Sequence, residues 1–503
     1  MADPAAALEL ALDPEAAARL PRLPEFSRWR AGRVRRTAVE MVWYDTPETA
    51  LAAAGLSLCE RHVGRETTWR LERMRGTPET PWPPGTPAPL VAEAPLPAGL
   101  GHELPSPLLP VAAFSGELRT LPLLPEAAPL SAALLHGALR AVAGERPVCR
   151  VALAGPPDRL ESLARAGAGA LALSVPELSL AAEAYATAGR AVPPRAIGAP
   201  ELPTEVTVAE AFARVAGHLA GVLLHWAPLA MAGATPEAVH QMRVALRRLR
   251  SAISLFRGAM GGPDLDSVNM DLRALSRVLG PARDWDVFCA GTGTAVAAGF
   301  PHDRAVVRLL AAAERQRQAG YVALRGYLDS PAFRLLGIRL ACLAAFRPWE
   351  HAPPTDDGDE AAAKQAALRA APLAEFAARA LARRLERVLQ VGDDLTDLPI
   401  EAVHTVRIQS KRLRYAAEFF APLFPRKETR RFLRRVSALQ ERLGHLNDGA
   451  VAEGLMAQLG RGGAERAMAV GIVRGFVAAG MPRARGKGER CWHRFRRLDP
   501  FWD

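Results

Sequence analysis

The spacing of apolar residues changes character near position 200 of this 503-residue chain. Before that point, apolar positions alternate in short runs between turn signals. Thr37–Tyr44, Leu56–His62, Thr67–Leu71 and Cys149–Leu153 read as strands, because side chains two apart share one face of a pleated segment. Glu15–Leu20, Thr49–Ala54 and Pro129–Ala143 read as helical runs, and the proline-dense stretch Thr77–Pro110 reads as a long loop. Residues 1–200 are therefore expected to form a mainly β or α+β domain, with Pro200–Thr204 as the linker that follows it.

From Val206 the apolar period becomes 3.6, the signature of amphipathic helix. Helices are predicted at Val208–His225, at Ser267–Leu279 closing on Gly280, at Asp303–Leu328 and at Ser330–Phe346. Thr235-Pro236-Glu237 supplies an N-cap, a proline at the first position and an early acid for another helix, stopped by Gly258 and Gly261-Gly262-Pro263. A second helical unit starts near Ala371, after the acidic His351–Glu360 segment, with Glu375–Val391 matching the helix at Val208. The expected organisation is a domain over 1–200 and a helical region over 205–503. That region divides into a first repeat (205–348), a linker (349–370) and a second repeat (371–503).

The repeat is most visible in one basic helix. EAVHQMRVALRRLRSAISLF (237–256) and EAVHTVRIQSKRLRYAAEFF (401–420) align without a gap at a separation of 164 residues and match at ten of twenty positions. At about 100° per residue, Val239, Met242, Leu246, Leu249, Ile253 and Phe256 share one face, as do Val403, Val406, Leu413 and Phe420. Beside that face runs a stripe of His240, Arg243, Arg247 and Arg250, answered by His404, Arg407, Lys411 and Arg414. Cations three and four apart on a helix repel by a few tenths of a kcal/mol per pair. A stripe kept twice at identical offsets points to an anion that offsets the repulsion. The same offset carries Leu279-Gly280 and Asp284 onto Leu443-Gly444 and Asp448, read as turns whose aspartates cap or pair with arginine.

Charge is distributed to match. Residues 1–200 hold 20 Arg, no Lys and 21 acids, whereas 201–503 hold 44 basic and 32 acidic residues, so the positive excess lies with the duplicated helix. Arg248 and Arg412 lie off the main stripe, and Lys427, Arg431, Arg434 and Arg435 form a further basic set; all are secondary candidates for the same anion. The tail Arg483–Arg497 adds seven basic residues around Trp492 and Phe495, fitting either a packed terminal helix or a nucleic-acid contact. The five cysteines contain no C-x-x-C pair, so neither a disulfide framework nor a thiolate zinc site is expected, and no cofactor or metal is called for. MADPAAALEL lacks a secretory pattern, and no stretch of eighteen apolar residues runs free of charge or proline. A cytoplasmic protein without a membrane span is expected.

Two resemblances follow from these motifs. Val42–Trp69 is similar to the CYTH signature of the triphosphate tunnel metalloenzymes at Tyr44, Asp45, Thr46, Pro47, Leu51, Gly55, Leu58, Arg61, Gly64 and Trp69. The resemblance implies an eight-stranded antiparallel barrel lined by Arg and Lys for triphosphate and by Glu for a divalent metal. The sequence departs from the family where that chemistry sits. Ala5, Ala7 and Glu9 stand where the family has E-x-E-x-K, Cys59 replaces an arginine, and Ser179–Tyr185 (SLAAEAY) lacks the family lysine. The expectation is a degenerate, non-catalytic domain.

The two H-x-x-R-x-x-x-[RK]-x-x-R helices and the L-G-x-x-[RN]-D elements over 205–503 resemble the CHAD domain, often fused to CYTH domains. The resemblance implies an α+β multidomain protein: a degenerate CYTH-like β-barrel followed by two pseudo-symmetric helical bundles. It also implies binding of inorganic polyphosphate through the stripes. Polyphosphate granules or polyphosphate-metabolising enzymes are the associated partners, and the granule a possible location in the cytoplasm. The alternatives are an active metal-dependent triphosphatase in the barrel and a nucleic-acid binder. Aromatics make up only 6% of residues and do not interleave with the stripes, which disfavours nucleic acid.

Overall fold

The computed structural model describes residues 6–77, 80–123, 130–192, 197–233, 235–350, 359–390, 392, 394–395, 398–460 and 463–502. Ala5 and residues 351–358 of the acidic linker lie outside them. The chain divides into two compact units: Met1–Gly198 with Ala216–His225 and Asp329–Ala352, and Ala199–Val215 with Trp226–Leu328 and Pro353–Asp503.

The first unit is built on one antiparallel sheet. Its strands are β1 (Ala7–Ala11), β2 (Arg35–Asp45), β3 (Leu56–Val63), β4 (Glu66–Arg73), β5 (Leu90–Ala94), β6 (Leu109–Pro122), β7 (Ser131–Ala141) and β8 (Gly144–Ala154). They lie in the order β1-β8-β7-β6-β2-β3-β4-β5, so β1 and β5 are the two edges. The sheet curls, and the carboxyl of Glu72 on β4, near one edge, is raised first by burial and further by Glu9 on the opposite edge strand, with Arg70 opposing. Glu9 N also donates to Gly85 O at 2.8 Å, just ahead of β5. Gly116 and Gly137 face each other across β6 and β7, where any Cβ would stand 2.3 Å from the partner strand's carbonyl oxygen. Leu8, Leu10, Leu134, Val151 and Leu153 cover one face, against α1 (Pro157–Ala170) and α7 (Pro331–Phe346).

Two expectations are corrected here. Pro129–Ala143 is not helical: among its described residues, Ser131–Ala141 is β7, paired along its length with both β6 and β8. The run Ala132-Ala133-Leu134-Leu135 has no alternation to betray it, and sheet pairing on both sides overrides its helical propensity. Thr77–Pro110 is not all loop, since Leu90–Ala94 adds the edge strand β5. The four expected strands are each present, and Glu15–Leu20 lies within a 3-10 helix, Pro14–Arg22.

The second unit is helical. It contains α3 (Val208–Ala232, its middle counted with the first unit), α4 (Pro236–Met260), α5 (Pro263–Phe288), α6 (Arg304–Leu328), α8 (Asp359–Ala370), α9 (Leu373–Leu389), α10 (Ile400–Phe420), α11 (Arg426–Leu459) and α12 (Gly463–Arg496). α3 opens on a capping box in which Glu210 N donates to Thr207 Oγ1 at 3.3 Å and Thr207 N donates to Glu210 Oε2 at 2.9 Å. By length and composition α3 is apolar enough to cross a membrane, but more than half of its most apolar window is buried inside the protein. The repeats meet through four phenylalanines at matched offsets. Phe256 stacks on Phe376 at 5.2 Å and lies 5.4 Å from Phe212 and 6.0 Å from Phe420. Val208 N donates to Ala371 O at 3.1 Å, and Leu373 N returns a bond to Val206 O at 3.2 Å.

The expected turns at Gly280 and Gly444 are also corrected. α5 runs on through Gly280, Pro281 and Asp284, and α11 runs through Gly444 to Leu459. Glycine and proline weaken a helix without ending it when tertiary packing holds both sides. Gly320 of α6 permits the contact, since a Cβ there would stand 3.2 Å from the Ala282 backbone. The tail is a packed helix: Trp492 and Phe495 of α12 are buried against each other, and Phe495 meets Phe432 of α11.

The Tyr44–Pro47 motif has a structural explanation. The Asp45 carboxylate is fully buried and accepts from Thr46 N (2.7 Å), Leu51 N (2.8 Å), Ala52 N (3.0 Å) and Tyr185 Oη (3.0 Å). It ties the short helix Ala50–Ala53 and α2 (Leu180–Thr187) to the end of β2. Asp45→Ala strands these donors, and a loss of roughly 3 kcal/mol is expected, read as a lowered melting temperature of the sheet's circular dichroism signal.

Candidate functional site

The two basic helices are α4 and α10, and their apolar faces fold as the period predicts. Val239, Met242, Leu246, Leu249, Ile253 and Phe256 are buried, as are Val403, Val406, Leu413 and Phe420. Burying these faces side by side brings the stripes together. The Lys411 ammonium is pushed down to about 7, first by burial and then by the cations Arg407, Arg247, Arg243 and Arg414 around it. Two of those arginines belong to its own stripe and two to the opposite one. Arg407 is likewise lowered by burial and by Arg247 and Arg243, with Asp448 acting the other way. The ridges therefore converge on one shared basic seam.

The seam is not uniformly free. Arg243 pairs with Asp284 Oδ1 at 3.2 Å and donates to the Gly280 carbonyl at 3.1 Å. Asp284 thus pairs with arginine as expected, but from a helix. Arg247 donates from Nε to Tyr415 Oη at 3.4 Å, and Arg248 and Arg414 flank the same ring at 5.8 and 5.4 Å. Glu418 binds Arg248 at 2.8 Å and Arg414 at 3.5 Å. Buried Tyr415 and half-buried Glu418 are absent from the sequence-level site, although comparison of the copies at Ser251/Tyr415 and Ser254/Glu418 would have exposed both.

The histidines differ. His240 is half-buried, and burial together with Arg283, Arg247 and Arg243 lowers its imidazole below the ordinary range despite Glu237. His404 is exposed, with Nδ1 3.0 Å from Asn447 Oδ1. Arg250 is lowered by burial and by Arg273 and Arg412. Lys427, Arg431, Arg434 and Arg435 are exposed on α11, where no ion pair joins them to the seam among the described residues. Asp394, Glu489 and His493 lie close enough to hold a metal, but Glu489 already accepts from Leu395 N at 2.9 Å and pairs with His493 at 3.0 Å.

Lys411 makes the stability of this region depend on pH. Below about 7 it is charged in folded and unfolded chains alike, and folding bears the full electrostatic penalty. Between about 7 and its ordinary 10.5 only the unfolded chain holds the proton, so stability rises with pH. Lys411→Met is expected to stabilise at pH 6 and to converge on the wild type toward pH 10, measured as the urea midpoint of the helical signal.

A solved CHAD-domain structure agrees with this architecture. A crystal structure of the CHAD domain from the plant Ricinus communis superposes with a TM-score of 0.51 and 28% identity, covering 61% of this chain and 98% of that one. PptA from Streptomyces chartreusis aligns with a TM-score of 0.42 and 17% identity over 57% of this chain and 99% of its own. Two uncharacterized proteins from strains of Mycobacterium tuberculosis are 34% identical over 192 residues, 36% of this chain. The match spans about a third (34%) of the length of those curated relatives. The family model of the CHAD domain matches residues 213–457, which contain both basic helices. Residues 213–457 thus form a CHAD domain, and the eight-stranded curled antiparallel sheet that precedes the helical region in the sequence fits a CYTH-like barrel.

Proposed function

We propose that this chain binds inorganic polyphosphate along the seam between α4 and α10 and catalyses no reaction on it. CHAD domains are associated with polyphosphate binding in general. The observation that carries the reading here is the convergence of Arg243, Arg247, Arg407, Arg414 and Lys411 from two helices into one half-buried row. A flexible phosphate polymer has evenly spaced charge and no bases, so a row of donors suits it better than a shaped pocket. Arginine adds planar two-point hydrogen bonding to phosphate oxygens. Granules and polyphosphate-metabolising enzymes are the partners this binding would serve.

The charges of the N-terminal sheet support a non-catalytic reading. Arg70 is bound by Glu72 at 3.2 Å and by Glu93 at 3.3 Å. Glu183 binds Arg150 and also Arg146, the latter at 3.1 Å. Glu9 is raised by burial and by Glu183, with Arg150 opposing. The sheet thus keeps arginines and carboxylates, more than the resemblance implied, and Arg70, Arg146 and Arg150 are each paired with its glutamates, while Arg150 Nη1 stays buried without a hydrogen-bond partner. A divalent metal needs several carboxylate oxygens of its own, and this set does not fit one.

Charge reversal at both Arg247 and Lys411 (Arg247→Glu, Lys411→Glu) is expected to abolish binding of long-chain polyphosphate while circular dichroism stays helical. Wild-type affinity should fall with salt at a log–log slope of about 0.7–0.9 per contact, by analogy with nucleic acids. DNA or RNA that outcompetes polyphosphate at equal charge would sink the reading. Because the polyanion favours protonated Lys411, affinity should drop as pH rises above 7, and binding should take up protons near that pH. Calorimetry in two buffers of different ionisation enthalpy measures the uptake, and Lys411→Arg should remove it.

A further inference from the structure

The repeat is not symmetric where it matters. The offset of 164 residues sets Arg248 against Arg412, Arg250 against Arg414, and Ser254 against Glu418. In one pseudo-equivalent pair, Arg248 and Arg414 are joined by the Glu418 carboxylate at 2.8 and 3.5 Å. In the other, Arg250 is lowered first by burial and then by Arg273 and Arg412; position 254, the counterpart of Glu418, is serine, and among the described residues no carboxylate pairs with Arg250 or Arg412. More positive charge has been added instead. Arg384 of α9 is 5% exposed; it is lowered first by burial and then by Arg412, donates from Nη2 to Ser254 Oγ at 3.3 Å, and leaves Nη1 without a hydrogen-bond partner. Arg250 Nε is also buried and unpartnered. Exposed Arg273 of α5 is near enough to contribute to lowering Arg250. The residues 164 positions from Arg384 and Arg273 are Ala220 and Ser437, so neither charge is part of the duplication.

A buried guanidinium with free N–H groups and only cations beside it is costly unless an anion completes it. Glu418 supplies that anion to Arg248 and Arg414 from within the chain, although Arg414 Nε makes only the 3.5 Å ion pair and no hydrogen bond. We propose that Arg250, Arg384 and Arg412, with Arg273 at the rim, form a site for one tetrahedral phosphoryl group, held open by Ser254 where Glu418 occupies the equivalent place. Arg250 and Arg412 are half-buried and supply the accessible donors, while Arg384 adds its charge from behind. The basic seam then has a polarity, with an acid latch on one side and an open oxyanion site on the other. That the phosphoryl group is a unit of a polymer rests on the function proposed above. That the site takes a phosphoryl oxyanion does not.

The test uses the full chain and isothermal calorimetry with orthophosphate, pyrophosphate and long-chain polyphosphate. Ser254→Glu installs the missing carboxylate at an exposed position, and a loss of affinity of about tenfold or more is expected from charge pairing of a phosphate-binding arginine set. Ser254→Gln fills the same space without charge and must lose less. Glu418→Ser opens the closed pair and should raise polyphosphate affinity and steepen its salt slope. Weakening by Ser254→Glu toward pyrophosphate as well as polymer marks a site for free phosphates. Weakening toward the polymer alone marks one of its units, and either outcome supports the site. Unchanged binding of every phosphate by Ser254→Glu, equal losses in the Glu and Gln variants, or no binding of any of the three to the wild type would overturn it. If the wild type ignores the polymer while Ser254→Glu still weakens pyrophosphate binding, the polyphosphate function fails and this site stands.

Discussion

The helical unit depends on one contact, the meeting of Phe212, Phe256, Phe376 and Phe420. Each repeat contributes two of the rings at matched offsets, and aromatic pairs of this geometry add about 0.5–1.5 kcal/mol each beyond the area they bury. The backbone bonds at Val208 and Leu373 fix the same junction. With α4 and α10 anchored at their phenylalanine ends, the rest of each helix lies beside the other. Their basic stripes are forced into proximity whether or not the charges favour it.

That proximity sets the chemistry. Cations brought together by apolar burial raise each other's energy, and the group that yields is the one able to release a proton. Lysine yields where arginine does not, so Lys411 is driven to about 7, first by burial and then by the arginines around it. The remaining strain is relieved selectively. Asp284 takes Arg243, Glu418 takes Arg248 and Arg414, and Tyr415 lies among them. The charges left over, Lys411 and Arg407 in the seam and Arg250, Arg384 and Arg412 beside it, are those an external anion would neutralise. The N-terminal sheet shows the opposite solution. There Arg70 and Arg150 are each matched by the chain's own carboxylates.

The sequence by itself determined a good deal. Period-2 alternation located β2, β3, β4 and β8, and period 3.6 located the apolar faces of α4 and α10, because both follow from local geometry and hold wherever the segment is placed. The fixed offset showed the repeat, and with it His240, Arg243, Arg247 and Arg250 and their counterparts as one stripe. Tertiary structure decided what depends on partners. β7 is a strand only because β6 and β8 lie on either side of it, and α5 continues through Gly280-Pro281 only because neighbouring helices hold it. It also decided which cations are spent internally and which stay open. Ser254 and Glu418 look like an ordinary difference between copies until folding sets one between two arginines and leaves the other beside buried Arg384, since charge acts through distance in space and not along the chain.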